Sequence, residues 1–469
     1  MFNESVTPPD IMRSVYCPEP RQRAVTLQGI VSLQVKELFP DSIPQIYSLG
    51  DDIEIVRKAT EDALAGVDMS MIRSGDTVNI LCSEHGFLIM GGDPYAEMIR
   101  TVKDVVQRET GCENIRLRVG SGIGAREGDE IIEQYGFEST FKGHAVGIGP
   151  LDKGVPIETE IGTLYGVARA YDADWFIHCH YNDLRELYWH RQINRALKPF
   201  AMSYARMETR GVYHFNFGPR SSNFVQKAVF NAPFVQQRYA FTCFLMSSPM
   251  GITGIDADND LYRLDRRLTV GNLRNYGKMM RLFAEIDECI PVLDAGKWPA
   301  YQHAGGMIFG NLVNAKLDYF DLETVPAGTG FALFEKKPGE PKVKAVNSAI
   351  KALVINHMWI NMMCTELAMS APTIIVGRDL ADMLITDSSN PMFMNFAVTA
   401  ENLETAVNYA RRIAGTDKML IFDGSHGSIN LSPPLGEFLL ERASAVSREV
   451  DEVLLPKWLR QRGIDTQQM

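Results

Sequence analysis

Cysteine is scarce in this sequence and follows no pattern. Seven residues are scattered through 469, an odd number with no C-x-x-C pair. That excludes a disulfide framework and a cysteine-built zinc site and fits reduced, intracellular thiols. Long apolar runs are missing too, since none approaches the roughly 18 residues a membrane span needs. The richest run, "ALVINHMWINMMCTELAM" at 352–369, carries Asn, His and Glu and reads as a buried or half-buried helix, with His357 as a core histidine. The start, "MFNESVTPPDIMRSVY", has neither the basic opening nor the apolar segment of a secretory signal, so a cytoplasmic protein is expected. Nor is there an excess of basic residues. A net charge of −11 argues against a dedicated nucleic-acid binder, whose surface must complement phosphate. There is no internal repeat and no low-complexity tract.

What remains is a chain that is 45% apolar and 22% charged, enough for two or three globular domains. Helix and strand patterns alternate from about residue 51. "DDIEIVRKATEDALAG" reads as a helix with Asp51 as cap, and "TVNILC" as a β-branched strand. "DPYAEMIRTVKDVVQRETG" opens with Asp93 as cap and Pro94 at the first helical position, where a missing N–H does no harm, and stops at Gly111. "NIRLRVG", "HAVGIG" and "ADWFIHCH" read as further strands, with the helix of "AREGDEIIEQYG" between the first two. Strands spaced by helix-length segments imply βαβ units and mostly parallel sheets. The expected fold is therefore α/β, with two such domains and a long C-terminal helix packed back on the body. The turn signals of "SSPMGITGIDADND" place the expected boundaries at 1–250, 251–430 and 431–469. In the second half, "FALFEKKPGEPKVKAV" reads as two strands about a Pro-Gly turn, and "AENLETAVNYARRIAG" as an amphipathic helix.

Parallel sheets bind ligands beyond the carboxyl ends of their strands. Three segments fall there: "SEHG", "GSGIGAREG" and "HCHYND". In the third, His178 and His180 share one face of a strand, as i and i+2 must. With His190, Glu186 or Asp183 they have a spacing that suits a divalent metal, whereas the plainer reading is one hydrogen-bonded and one solvated imidazole. Arg185, Arg191 and Arg195 follow. They are candidates to clamp a carboxylate or phosphate in bidentate fashion, or else solvated surface cations. The Gly-rich loop, with Gly122, Gly124 and Arg126, offers backbone N–H groups at a helix start for an anion, or is a tight turn. It is not the dinucleotide fingerprint. Glu84 and His85 follow a strand and are candidates for proton transfer, with a capped turn as the alternative. In "DGSHGS", Asp423, Ser425 and His426 are too close in sequence to converge as a hydrolytic triad, so a turn or a binding loop is expected.

From about Asn79 to Arg210 the order of pieces resembles the lactate racemase family, whose members use a nickel-pincer nucleotide. The pieces are a strand into "SEHG", a long helix, "IRLRVGSG" into a Gly-rich loop, a helix ending "IIEQYG", then "ADWFIHCH" and "RALKPFAMSYARM". They cover under a third of the chain. The departures fall on the functional positions. Arg195 stands where the resemblance places the cofactor-attachment lysine, and a permanently protonated guanidinium cannot form that linkage. Gly124 and Arg185 stand where it places the two catalytic histidines. Phe87 or a neighbour replaces the arginine of the first motif, and His214 lies a few residues past the expected nickel histidine. The resemblance thus implies a divergent member without the nickel-pincer cofactor.

On this reading the chain is an isomerase-like enzyme, a racemase, epimerase or related lyase. It acts on a small hydroxy-acid carboxylate, with Glu84, His85, His178 and His180 as acids, bases or metal ligands. The alternative is a non-catalytic binder of small anions or nucleotides derived from the same fold. Neither needs a membrane or a nucleic acid, and the 22 methionines leave room for a homo-oligomer contact.

Overall fold

The apolar runs of this sequence lie on two sheets, each with its own helical cover. The computed structural model describes residues 2–4, 19–122, 126–182, 194, 196–216, 218–295, 318, 320–323, 348–358, 368–369, 371–386 and 392–465. Strands are numbered along the chain. β1 (Asn3–Glu4) and β2 (Val31–Gln34) are followed by β3 (Thr77–Ser83), β4 (Asn114–Gly120), β5 (Ala145–Ile148), β6 (Gly154–Thr159), β7 (Gly162–Val167), β8 (Trp175–Tyr181), β9 (Tyr239–Ser248) and β10 (Gly251–Asp258). After these come β11 (Ile290–Ala295), β12 (Leu353–Met358), β13 (Thr373–Val376), β14 (Ala397–Ala400), β15 (Met419–Phe422) and β16 (Ser428–Leu431). The fold is mixed α/β with mostly parallel sheets, as the strand–helix alternation requires.

The chain divides into two units. One comprises Met1–Pro44, Ser248–Gly251 and Gly271–Met469; the other comprises Gln45–Ser247 and Ile252–Val270. The expected boundaries of 1–250, 251–430 and 431–469 follow turn signals along the chain, whereas this division follows contacts. The physical reason is strand pairing. β2 pairs antiparallel with β16, Val31 opposite Leu431 and Gln34 opposite Ser428, so the N-terminal residues belong with the C-terminal sheet. Nothing in the hydrophobic pattern of β2 records which distant strand it will join.

The Gln45–Val270 unit holds a six-stranded sheet in the order β10-β9-β8-β3-β4-β5. The pairs β3/β4, β3/β8, β4/β5 and β8/β9 are parallel. One face carries an aromatic core in which Phe176, Phe200, Tyr204, Phe230 and Phe244 are buried together. The helix Asp93–Thr110 starts with Pro94 in its first turn and stops at Gly111, whose φ of 69° is left-handed, as the sequence required. Its Tyr95 hydroxyl donates to the Cys179 carbonyl at 2.8 Å, which ties the helix to β8. The five described cysteines are all buried and unpaired as disulfides.

The other unit holds an eight-stranded sheet, β1-β2-β16-β15-β11-β12-β13-β14. Its β11, β12, β13, β14 and β15 run parallel. The helix Leu403–Ala414 is capped by Asn402, whose side chain accepts from the Thr405 N–H, and it lays Leu403, Ala406, Val407 and Ala410 over Ile290, Val354, Ile374 and Ile421. The long C-terminal helix, Pro433–Glu449, continues through Val450–Leu454 to Leu455–Arg460. Trp458 anchors it, with its ring edge-on to Phe320 at 4.9 Å and its indole N–H donating to Asp318 at 2.8 Å. Gly277 makes room for that indole, since a Cβ there would sit 2.6 Å from the ring.

The stretch at 352–369 corrects an expectation. Its first residues form the strand β12, not a helix, and His357 sits on that strand at 5% exposure. A short apolar run has no periodicity to distinguish a buried strand from a buried helix, and here the parallel partners β11 and β13 decide. The expected hairpin of "FALFEKKPGEPKVKAV" lies outside the described residues. No described helix is long and apolar enough to cross a membrane.

Candidate functional site

The carboxyl ends of β3 and β4 lie side by side, because Ser83 pairs with Gly120. Each strand then turns into a short polar segment, Glu84–His85 from β3 and Ser121–Gly122 from β4. Glu84 is 6% exposed. Its Oε1 accepts the Gly122 N–H at 2.6 Å and lies 3.1 Å from His85 Nδ1. The close approach requires glycine at 122, where a Cβ would stand 2.7 Å from the same oxygen. Glycine is needed at 120 for a similar reason, since a Cβ there would meet the Ser203 carbonyl at 2.6 Å.

Burial pushes the Glu84 carboxyl up to about 7, and the negative charge of Glu127 adds to the rise. The Gly122 N–H and the Arg210 guanidinium pull the other way and do not offset it. A carboxyl balanced near neutrality, beside a half-buried imidazole, is the usual equipment for moving a proton. His85, with 29% of its side chain exposed, connects the buried acid to solvent.

Arg210 is the group that sequence reading missed. It is 4% exposed, and its guanidinium donates to three carbonyls: Ala205 at 3.0 Å, Ser121 at 3.0 Å and Gly122. It thereby fixes the turn whose amide holds Glu84. Burial lowers its basicity to about 10 while the Glu84 charge raises it, so it stays a cation at neutral pH. No sequence signal separates it from the exposed arginines around it. Lys198 was missed as well. It is 9% exposed at the start of the short helix Lys198–Ala201, with its ammonium 5.9 Å from the centre of the Tyr213 ring.

The histidine pair has a different character. His178 and His180 do share a face of β8, and their rings stack at 5.3 Å. Both are fully buried among Phe200, Tyr204, Tyr181 and Phe244. His178 Nε2 lies 2.9 Å from the Ala196 carbonyl, which can only accept, so this nitrogen carries the proton. Nδ1 then accepts from the Tyr204 hydroxyl at 3.0 Å. Burial drives the imidazole down to about 3 and keeps it neutral. A further proton or a metal could take His178 only at Nδ1, at the cost of the bond from the Tyr204 hydroxyl. His180 lies in the same aromatic packing and does not reach the Glu84 pair through any described contact. Among the described residues no group of three or more His, Cys, Asp or Glu side chains is placed to hold a metal ion. His190 lies outside them.

Gly122 is present at the strand end, but its N–H is engaged by Glu84, so it does not offer the anion cradle that the Gly-rich pattern suggested. Arg126 is exposed, and its carbonyl accepts from the Asp129 and Glu130 amides at the start of the helix Glu127–Gln134. That first turn carries Glu127, Asp129 and Glu130, which repel an anion. Gly124, Arg185, Arg191 and Arg195 lie outside the described residues. His214 is exposed, with Nδ1 2.9 Å from the Arg210 carbonyl. In the other unit "DGSHGS" closes on itself: Asp423 accepts from the Ser425 amide at 2.9 Å and hydroxyl at 2.5 Å and from Asn430 at 2.7 Å, so this loop is a turn and not a hydrolytic triad.

The sequence matches no protein-family profile and no curated protein. Among solved structures the chain is similar to the lactate racemase apoprotein from Thermoanaerobacterium thermosaccharolyticum, at 12% identity and a TM-score of 0.47, over 88% of this chain and 98% of that one. A likeness of that size is a distant one of fold. It does not carry a reaction across.

Proposed function

We propose that the Gln45–Val270 unit carries an acid–base site for an isomerase-type or lyase-type reaction on a small hydroxy-acid carboxylate, run without a nickel-pincer nucleotide. The observation that carries this reading is the buried Glu84 carboxyl, held near neutrality and 3.1 Å from His85, at the carboxyl edge of parallel strands. In this reading ionised Glu84 takes the proton from the carbon next to the substrate carboxylate. The electron pair moves into an enolate, and the proton returns to the same or a neighbouring atom, with His85 relaying exchange to water. Because Glu84 and His85 are adjacent, they serve one face of a substrate. This favours one-base chemistry, a proton shift or the loss of a neighbouring hydroxyl, over inversion between two opposed bases. Arg185, Arg191 and Arg195 are the candidates for holding the substrate carboxylate, because Arg210 is committed to three backbone carbonyls.

The alternative, a non-catalytic binder of small anions or nucleotides, draws less support: the Gly122 amide is taken and the following helix turn is acidic.

The test is exchange of the α-hydrogen of lactate, malate and glycerate with deuterated water, followed by proton NMR. The expected result is exchange with at least one acid, rising through a midpoint near pH 7 and falling about 100-fold or more in Glu84→Gln. Equal exchange by Glu84→Gln and the parent protein overturns the assignment. Absence of exchange with all three acids, together with saturable binding of one of them, supports the non-catalytic alternative.

A further inference from the structure

The unit containing β11 to β16 has a cavity of its own, about 330 Å³ in volume, beyond the carboxyl ends of β12, β13 and β14. Its walls include Glu19, Arg21, Asn356, Gly377, Asp379 and Glu401. That volume falls at the lower end of the range for small-molecule sites, and the position is where parallel sheets take their ligands. The residues come from three strand ends and from a chain segment laid across them. Gly377, at φ +82°, turns the chain from β13 into the helix Arg378–Thr386.

Asn356 identifies the polarity of what belongs there. It is 4% exposed. Its amide nitrogen donates both to the Gln22 carbonyl, at 2.7 Å, and to Asp294 Oδ1, at 2.7 Å. Two acceptors fix the orientation of the amide, so the other atom is the carbonyl oxygen. Among the described residues that oxygen accepts no hydrogen bond, and Asn356 lines the cavity. An acceptor on a nearly buried side chain at a cavity wall, with no described partner, is placed to take a donor from a ligand.

The charges point the same way. Three carboxylates, Glu19, Asp379 and Glu401, line the space against one guanidinium, Arg21, and none of the four forms an ion pair among the described residues. Both helices that start at this edge have acids in their first turns, Asp379 and Glu404, so their positive ends are already countered. The balance of charge disfavours an anion, and Val376, Leu380 and Leu403 add apolar lining for a short carbon chain.

We propose that this cavity is a binding site for a small organic cation that bears N–H donors, a primary amine or guanidine on a short aliphatic stem. The donor group meets Asn356 Oδ1 and the carboxylates meet its charge. The site is separate from Glu84 and does not depend on the reading given above for that residue.

The test is calorimetric titration of the full-length protein with putrescine, agmatine and ethanolamine. Ribitol serves as a neutral donor-rich control and inorganic phosphate as an anion control. The expected result is saturable binding of at least one cation at about millimolar or tighter affinity. It should weaken at least tenfold in Glu401→Gln, a substitution of an exposed residue that keeps side-chain shape, and weaken again in high salt. Asp379→Asn provides a second variant should the first alter folding by circular dichroism. The proposal is overturned by no cation binding at 10-fold above that range, by ribitol binding as well as the amines, or by unchanged affinity in both variants.

Discussion

At Gly122 a single methyl group separates two chemistries. A Cβ would press on the Glu84 oxygen from 2.7 Å, so Gly122→Ala must move the carboxyl off the amide that holds it. The loss of that N–H removes a contact favouring the charged form, and the Glu84 midpoint should rise further above about 7. A pH–activity profile shifted upward in Gly122→Ala, with Glu84→Gln flat across the same range, is the expected pair of results. Linkage gives the sign for stability. The folded-state value of Glu84 lies above its ordinary carboxyl value, so its contribution is fully present at acid pH. It is lost as pH rises from the ordinary range through about 7. Urea unfolding at pH 5 and pH 8 should therefore show a smaller gap in Glu84→Gln than in the parent. Burial keeps the His178 imidazole neutral. Tyr204→Phe, which removes one of its two hydrogen bonds, should cost about 1 kcal/mol of stability and leave the pH profile unmoved.

At the level of elements, the unit built around β11 depends on a strap. Arg23 donates to Asp294 at 3.0 Å and to its carbonyl at 2.7 Å, and the Ala24 amide adds a bond at 2.8 Å. Asp294 is fully buried, and burial pushes its carboxyl up to about 6 against the pull of Arg23. The described hydrogen bonds to its carboxylate, from Arg23, Ala24 and Asn356, all come from donors, so the ionised form is the one they favour. Asp294→Ala should destabilise by about 2–4 kcal/mol, at the lower side because Arg23 is partly exposed, and should speed amide exchange across 22–30. The elements themselves were largely legible. The Gly111 stop of Asp93–Thr110, the amphipathic pattern of Leu403–Ala414 and the β-branched run of β3 follow from local chemistry, whereas Asp93 is the first helical residue and not the expected cap, since Gly92 precedes it in that place. The sites were less so. Glu84 and His85 were found because they follow a strand. Arg210, Lys198 and Asn356 carry no local signature, and their burial is decided by segments far away in sequence. The H-x-H spacing correctly placed two imidazoles on one face but could not reveal that the face is an aromatic core.

At the scale of the whole molecule, the two units are interleaved in sequence but each has its own sheet. Residues 45–270 contain the entire six-stranded sheet, and Leu261, Leu264 and Leu268, from the first turns of the helix Leu261–Ala284, belong to its core. A fragment spanning 45–270 should fold by itself, with one cooperative transition in urea. A fragment beginning at 271 should not, because it lacks β2 and the Arg23 partner of a buried carboxylate. If the 271–469 fragment unfolds as cooperatively as the full chain, the pairing of β2 with β16 contributes little.

That pairing also sets a schedule for synthesis. Gln34 meets Ser428 across roughly 400 residues of chain. At ordinary ribosomal speeds of about 5–20 residues per second, the N-terminal strand waits roughly 20–80 s for its mate. Throughout that interval Leu33, Val35 and Leu38, all buried once folding is complete, have no interior to enter. The early strand thus stays without its mate while residues 45–270, which carry their own sheet, can finish folding on the ribosome behind it.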